Sequence, residues 1–317
     1  MKSIGGYFEL ELSNKEHYHK NALRLNSARN CLECILMERH YSTVYIPYFT
    51  CEVVLEPIVK LGIEYRYYQV NYKLEPTSLP KLHIGEAFLY TNYFGLKQDY
   101  VSQLAAIYGN SLIVDNSQAF YAKPIEHIDT FYSARKFFGV PDGAYLYADG
   151  VLVDQYEYSQ SANRMSHLLI RLEKGAEAGY EEFKKNDASL SNLPISKMSL
   201  LTSHILESVD YEAIAAKRRN NYLQLDGTLG MINNVHFPIK SEEDVPMIYP
   251  FIDSRQKISR KKLIDNNIFI AKYWPNVIDY KNFETESFLA NSLFPIPIDQ
   301  RYGQNDMSRI ISTIINA

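Results

Sequence analysis

The chain has 317 residues, 46% of them apolar and 22% charged, a globular composition in which folding buries roughly three quarters of the unfolded surface, so a sizeable core split between two domains is expected. Lys plus Arg number 33 against 37 Asp plus Glu, a net charge of −4 with no dense basic run, which argues against nucleic acid and anionic membrane as partners. The opening Met1-Lys2-Ser3-Ile4-Gly5-Gly6-Tyr7 lacks the apolar stretch of a secretory signal, and nowhere do about 18 apolar residues run together, so a cytoplasmic protein without a membrane partner is expected.

In chain order, the first helix spans 28–40, with apolar residues at 28, 31, 32, 35 and 36 and with Asn26 or Ser27 as its N-cap. Strands are expected at 44–46, 65–70, 87–91, 112–114, 130–132 and 145–147, with helices at 52–61 and 100–108 between them. This alternation is the pattern of βαβ units around a mainly parallel sheet. From about residue 155 the character turns helical, interrupted at Gly175 and Gly179 and by a polar segment at 184–194. A long helix at 197–225 could join two domains. The remainder reads as a smaller α+β unit, with strands near 234–237, 247–251 and 268–271 and helices near 255–265 and 306–315. The expected division is 1–210 and 211–317.

Several motifs are absent or bland. There is no Gly-x-Gly-x-x-Gly after a strand and no Gly-Lys-Ser/Thr phosphate loop. Cys31 and Cys34 fall inside the first helix among apolar neighbours, which suits packed thiols better than a redox pair or half a zinc site, and with Cys51 they do not make a disulfide framework. The eight histidines form no His-x-x-x-His pair, so no metal site is expected. The 26 tyrosines against one tryptophan suggest polar-tipped pockets or interfaces.

Three segments together carry chemistry. Leu25-Asn26-Ser27-Ala28-Arg29-Asn30 opens a helix, where free backbone N–H groups and the helix dipole favour an anion such as a phosphate monoester. The apolar strand Leu112-Ile113-Val114 ends abruptly in Asp115, with Gln118 three residues on; in open α/β sheets ligands sit just past the carboxyl ends of strands. A second short strand ends in Ser133-Ala134-Arg135-Lys136, followed by Phe137 and Phe138. A lysine in apolar company loses part of its preference for the charged form and becomes a usable amine nucleophile. An anion turn, a strand-end acid and a strand-end lysine match pyridoxal 5′-phosphate, which has a phosphate to anchor, a pyridinium nitrogen to keep protonated and an aldehyde to tie to an amine.

These residues resemble the DegT-like sugar aminotransferases, a group of fold-type I pyridoxal phosphate enzymes. The resemblance extends over most of residues 1–225 and includes Ile4-Gly5-Gly6-Tyr7-Phe8, Asn26-Ser27-Ala28-Arg29, Ile46-Pro47-Tyr48-Phe49-Thr50, Asn92-Tyr93-Phe94-Gly95, Asp115-x-x-Gln118-Ala119 and Ser133-Ala134-Arg135-Lys136. It implies a three-layer αβα large domain with a smaller α+β C-terminal domain, and a homodimer. It implies that Lys136 forms the Schiff base and shuttles the proton, that Asp115 pairs with the ring nitrogen, and that Gln118 contacts the phenolic oxygen. Ser27, Ala28 and Ser133 would hold the phosphate, and Phe49 or Tyr93 would cover the ring. The implied activity is transfer of an amino group from an amino acid such as glutamate to a nucleotide-linked keto-sugar, in surface polysaccharide assembly. Arg29, Arg135 and Lys123 are candidates to bind a donor carboxylate or a nucleotide phosphate.

The chain departs from the family in three places. Ser27-Ala28 stands where a Gly-Thr pair is usual, the segment 137–143 replaces a threonine- and glycine-rich stretch, and the acid-to-lysine spacing is short. The alternatives are a lyase or a non-catalytic relative that binds a sugar nucleotide on the same scaffold.

Overall fold

The computed structural model describes residues 4–277 and 282–317, so the first three residues of the opening stretch lie outside the description. Strand β1 (Leu23–Leu25) leads through Ser27 into helix α1 (Ala28–Arg39). Ser27 is extended (φ −150°, ψ 157°) and its Oγ accepts from the Asn30 amide at 3.2 Å, which satisfies one of the helix's open donors. The helix stops at His40, in the left-handed region at φ 53°. Its Cys31, Leu32, Ile35 and Leu36 are all buried. Burial pushes the Cys31 thiol well up and that of Cys34 up to about 12, so both are inert core thiols.

The chain then lays down β2 (Thr43–Pro47), a 3-10 turn and α2 (Leu55–Lys60), β3 (Glu64–Tyr68), β4 (Glu86–Thr91), α3 (Gln98–Tyr108), β5 (Leu112–Asn116), β6 (Asp129–Ser133) and β7 (Ala144–Tyr147). The seven strands form one sheet in the order β1-β7-β6-β5-β4-β2-β3. Neighbours from β3 to β6 run parallel, and β7 runs antiparallel to both β6 and β1. Side chains alternate between two cores. Ala87, Leu89, Ile113 and Phe131 face α1 and α2, whereas Phe88, Tyr90, Val114 and Tyr132 face the opposite layer. Burial on both faces explains why the cores of the central strands β4 and β5 read as apolar runs.

Beyond β7 come α4 (Ser166–Lys174), α5 (Tyr180–Ala188), α6 (Leu200–Glu207) and α7 (Tyr211–Leu229), then β8 (Ile248–Phe251), α8 (Arg260–Asp265), α9 (Glu284–Ser292), β9 (Phe294–Pro297) and α10 (Gln304–Ile315). β8 and β9 form a separate antiparallel ribbon that shares an apolar cluster with α7 and α10 through Tyr222, Leu225, Leu229, Met307, Ile310 and Ile314. Among the described residues no helix is long and apolar enough to cross a membrane.

Three expectations need correction, and one strand is unanticipated. The helix expected at 197–225 is two, because Asp210 accepts from the Ala213 amide at 3.0 Å and starts a new helix. Segments 234–237 and 268–271 are irregular, and the second strand of the ribbon is β9 instead, whose prolines are tolerated because each strand of a pair has an open edge. The helix expected from 255 begins at Arg260, after the Ser259 cap. β1, three residues long, carries no pattern that sequence can distinguish from a loop.

The N-terminal segment before β1 is pinned by two buried histidines. His19 is 2% exposed, with Nε2 2.7 Å from the Phe120 carbonyl and its ring 4.1 Å from that of Tyr132. Burial lowers its pKa to about 4. Between about 6.5 and about 4 the unfolded chain therefore binds a proton that the folded chain refuses, and stability falls as pH falls through that window. The expected loss between pH 7 and pH 5 is about 2 kcal/mol. Urea midpoints at the two pH values should show a smaller drop in His19→Gln than in wild type, and an equal drop would contradict the assignment.

Candidate active site at the carboxyl ends of the strands

The strand register brings the three chemistry-bearing segments to one rim. Leu25 and Ser133 both pair with Ala144, Asn116 pairs with Tyr132, Asp115 with Phe131, and Thr91 with Asp115. The ends of β1, β6, β5 and β4 are thus level. Ser27, Lys136 and Gln118 each follow within three residues of one of those ends. Asp115 and Lys136, 21 positions apart, fall at and just past the ends of adjacent parallel strands, on the ligand-binding side of an open α/β sheet.

Gly143 ties two of these segments together. Its N–H donates to the Asn26 carbonyl at 2.7 Å and its carbonyl accepts from the Ala134 amide at 3.1 Å. With φ at +104°, and with an added Cβ only 2.7 Å from Thr202 Cγ2, only glycine fits there. Next to it Asp142, fully buried, accepts from Arg164 at 2.7 Å, from Ser199 Oγ at 3.0 Å and from the Thr202 hydroxyl. This network supports the Lys136 turn from below and was not foreseeable from sequence, where Asp142-Gly143 reads only as a turn.

Asp115 is 6% exposed and its Oδ1 accepts the Ser117 amide at 2.8 Å. Gln118 is 1% exposed. Its Oε1 accepts the Phe94 amide at 3.1 Å, while its Nε2 has no partner among the described residues. The Thr91 hydroxyl beside Asp115 is likewise unpartnered. Buried polar groups are almost always satisfied, so orphaned donors at a strand-end rim mark a place for a ligand's acceptors. Phe49 and Tyr93 are both fully buried. The Tyr93 hydroxyl donates to the Phe49 carbonyl at 2.8 Å, the two rings lie 5.9 Å apart, and Trp274 meets Phe49 edge-on at 4.9 Å.

At the anion turn the Ser27 hydroxyl is committed: it donates to Asn30 Oδ1 at 2.7 Å besides capping α1. What the turn offers an anion is the pair of first-turn amides of Ala28 and Arg29, which have no acceptor within the helix. Ser133 ends β6 and is 8% exposed.

Lys136 departs from the sequence expectation. It lies in a 3-10 turn (Ala134–Lys136), exposed, with no side-chain hydrogen bond or ion pair to the described residues. Phe137 and Phe138 do not surround it. They turn into the core against Phe120, because a 3-10 turn sends successive side chains about a third of a circle apart. The amine is therefore free and accessible rather than desolvated. The three candidate anion-binding cations are engaged elsewhere: Arg29 with Glu56 at 3.6 Å, Arg135 with Asp187 at 3.1 Å and Lys123 with Glu243 at 2.5 Å.

With this geometry in place, the fold can be compared with known structures. No protein-family profile matches the chain, and no curated protein matches it in sequence. Solved structures do. The sugar aminotransferase CalS13 from Micromonospora echinospora superposes with a TM-score of 0.64 at 14% identity, covering 94% of this chain and 88% of that one. A DegT DnrJ EryC1 StrS aminotransferase from Brucella abortus gives 0.64 at 13%, covering 93% and 85%. DesV from S. venezuelae, in complex with a ketimine intermediate, gives 0.63 at 15%, covering 93% and 84%. The chain thus has the α/β fold of the sugar aminotransferases, as its sequence resemblance implies.

Proposed function

We propose that the chain is a pyridoxal 5′-phosphate-dependent aminotransferase, passing an amino group from an amino acid, glutamate first among donors, to a keto-sugar carried on a nucleotide. The observation that carries this reading is the strand-end acid, Asp115, near a buried amide, Gln118, whose Nε2 has no partner among the described residues, with an exposed lysine in the turn that follows the neighbouring parallel strand. The residues fit the cofactor's groups. The Asp115 carboxylate keeps a proton on the ring nitrogen, Gln118 Nε2 donates to the phenolic oxygen, and Ser27, Ala28 and Ser133 hold the phosphate, the first two mainly through their turn's amides. Phe49 or Tyr93 covers the ring.

When bound, the cofactor supplies an electrophilic aldehyde carbon and a ring that withdraws electrons. Lys136 would be the amine that holds this group, and the base and acid that takes a proton from the donor's α-carbon and returns one on the other side of the transfer. Asp115 keeps the ring cationic throughout.

The large domain is proposed to end near residue 210, where α7 begins, leaving 211–317 as the smaller unit. A homodimer in the cytoplasm is part of the proposal. It is supported by almost fully exposed apolar residues on the N-terminal arm (Ile4, Tyr7 and Phe8) and on α4 (Leu172 at 85%), surface that a second copy would cover. Surface polysaccharide assembly is the setting that the resemblance implies.

The test is the visible spectrum of purified protein given pyridoxal phosphate, before and after L-glutamate. The expected result is a band from the covalently held aldehyde form that glutamate converts to the amine form. Protein that binds the cofactor but ignores amino donors would favour the lyase alternative, and protein that stays colourless would favour the non-catalytic one.

A further inference from the structure

Two side chains from the C-terminal half of the chain reach the residue that follows Lys136. Arg218, on α7, is 1% exposed and makes no ion pair with the described residues. It donates to the carbonyls of Met247 at 3.1 Å and Pro246 at 3.4 Å and to that of Phe137 at 3.4 Å, while its guanidinium lies 4.6 Å over the Phe137 ring. Gln300, just past β9, donates to the same Phe137 carbonyl at 2.7 Å. Arg218 Nε and Gln300 Oε1 are both buried without a partner among the described residues.

Burial lowers the Arg218 pKa to about 10, so the guanidinium stays charged at neutral pH. Asp299, which helps hold that charge through space, is itself bonded to Arg301. A buried cation with no carboxylate in contact is an unfavourable arrangement, and folds retain such groups where they fix a geometry. Here the one acceptor that Arg218 and Gln300 share is the carbonyl of Phe137, the residue after the lysine. Among the described residues the Lys136 side chain makes no hydrogen bond or ion pair that would orient it, so its direction depends on how the backbone around it is held.

We infer that Arg218 and Gln300 are positioning residues: by clamping the Phe137 carbonyl they set the backbone from which the Lys136 amine projects toward the aldehyde carbon of the cofactor. This rests on the reading of Lys136 given above. In the resting bond the lysine nitrogen attacks the aldehyde carbon and a C=N bond forms with loss of one water. The clamp favours that bond and leaves the grip on phosphate and ring nitrogen untouched.

The experiment compares wild type with Gln300→Ala and Arg218→Lys, the second keeping the charge but losing the planar fork. Each is titrated with pyridoxal phosphate, following the covalent band by absorbance. Each is also titrated with pyridoxamine phosphate, which cannot bond the lysine, following the fluorescence of Trp274, the single tryptophan of the chain, whose ring packs against Phe49. The expected result is covalent binding weakened about 10-fold, as for one lost buried hydrogen bond, with pyridoxamine phosphate affinity changed less than about 2-fold. Equal weakening of both titrations, or none in either, would overturn the positioning role. A wild-type protein that binds pyridoxamine phosphate but shows no covalent band would remove the reading of Lys136 and this inference with it.

Discussion

Lys136→Ala is expected to abolish transfer while leaving the fold intact. The side chain is exposed and makes no hydrogen bond or ion pair to the described residues, so its removal should change stability by less than about 0.5 kcal/mol, the range of ordinary surface substitutions. The chemical loss is far larger. Proton transfer by one positioned group contributes on the order of 10²- to 10⁴-fold, and the covalent hold on the aldehyde is lost as well, so turnover should fall by at least about 10³-fold. Stopped-flow spectra of the glutamate half-reaction beside thermal melts measure the two quantities separately. A variant that keeps its activity would show that another amine does this work.

Asp115→Asn is the second large effect, and the local hydrogen bonding makes it a clean substitution. The asparagine carbonyl can still accept the Ser117 amide that Asp115 Oδ1 accepts at 2.8 Å, so the turn after β5 survives. What disappears is the negative charge that, in the proposed function, would keep the ring nitrogen protonated. Removing one preorganised electrostatic partner at a reacting centre is worth about 10²- to 10³-fold in rate, and that loss is expected in the glutamate half-reaction. Thermal stability should stay near that of wild type. If Asp115 served only as a turn residue, Asn would be neutral in both measurements.

The layered architecture is legible in the sequence because β4, β5 and β6 are buried on both faces, and the middle of β4 (87–90) and the start of β5 (112–114) read as apolar runs. Their ends, at Thr91, Asn116 and Ser133, fall within a residue or two of where the pattern stops. The order of the strands in the sheet follows from no local signal, and neither does the short β1 or a β9 spelled Phe-Pro-Ile-Pro.

At the site, Asp115 is recognisable at the end of one strand and Lys136 just past the end of another, and the register of β5 against β6 brings those two strand ends level despite their separation along the chain. Lys136 also shows the limit of such reading. Its aromatic neighbours in sequence are not its neighbours in space, because the 3-10 turn directs Phe137 and Phe138 inward and the amine outward. Arg218 is hidden for a related reason. In a helix dotted with charged residues, one arginine that faces the core carries the same local pattern as those that face solvent, and only the fold shows that it ends over Phe137.

The most direct test of the whole account is chemical. Protein incubated with pyridoxal phosphate, reduced with borohydride and digested should carry the cofactor's mass on one peptide, with the modified residue at Lys136. Modification that is scattered over surface lysines, or concentrated at any other single lysine, would contradict the assignment of this rim as the active site.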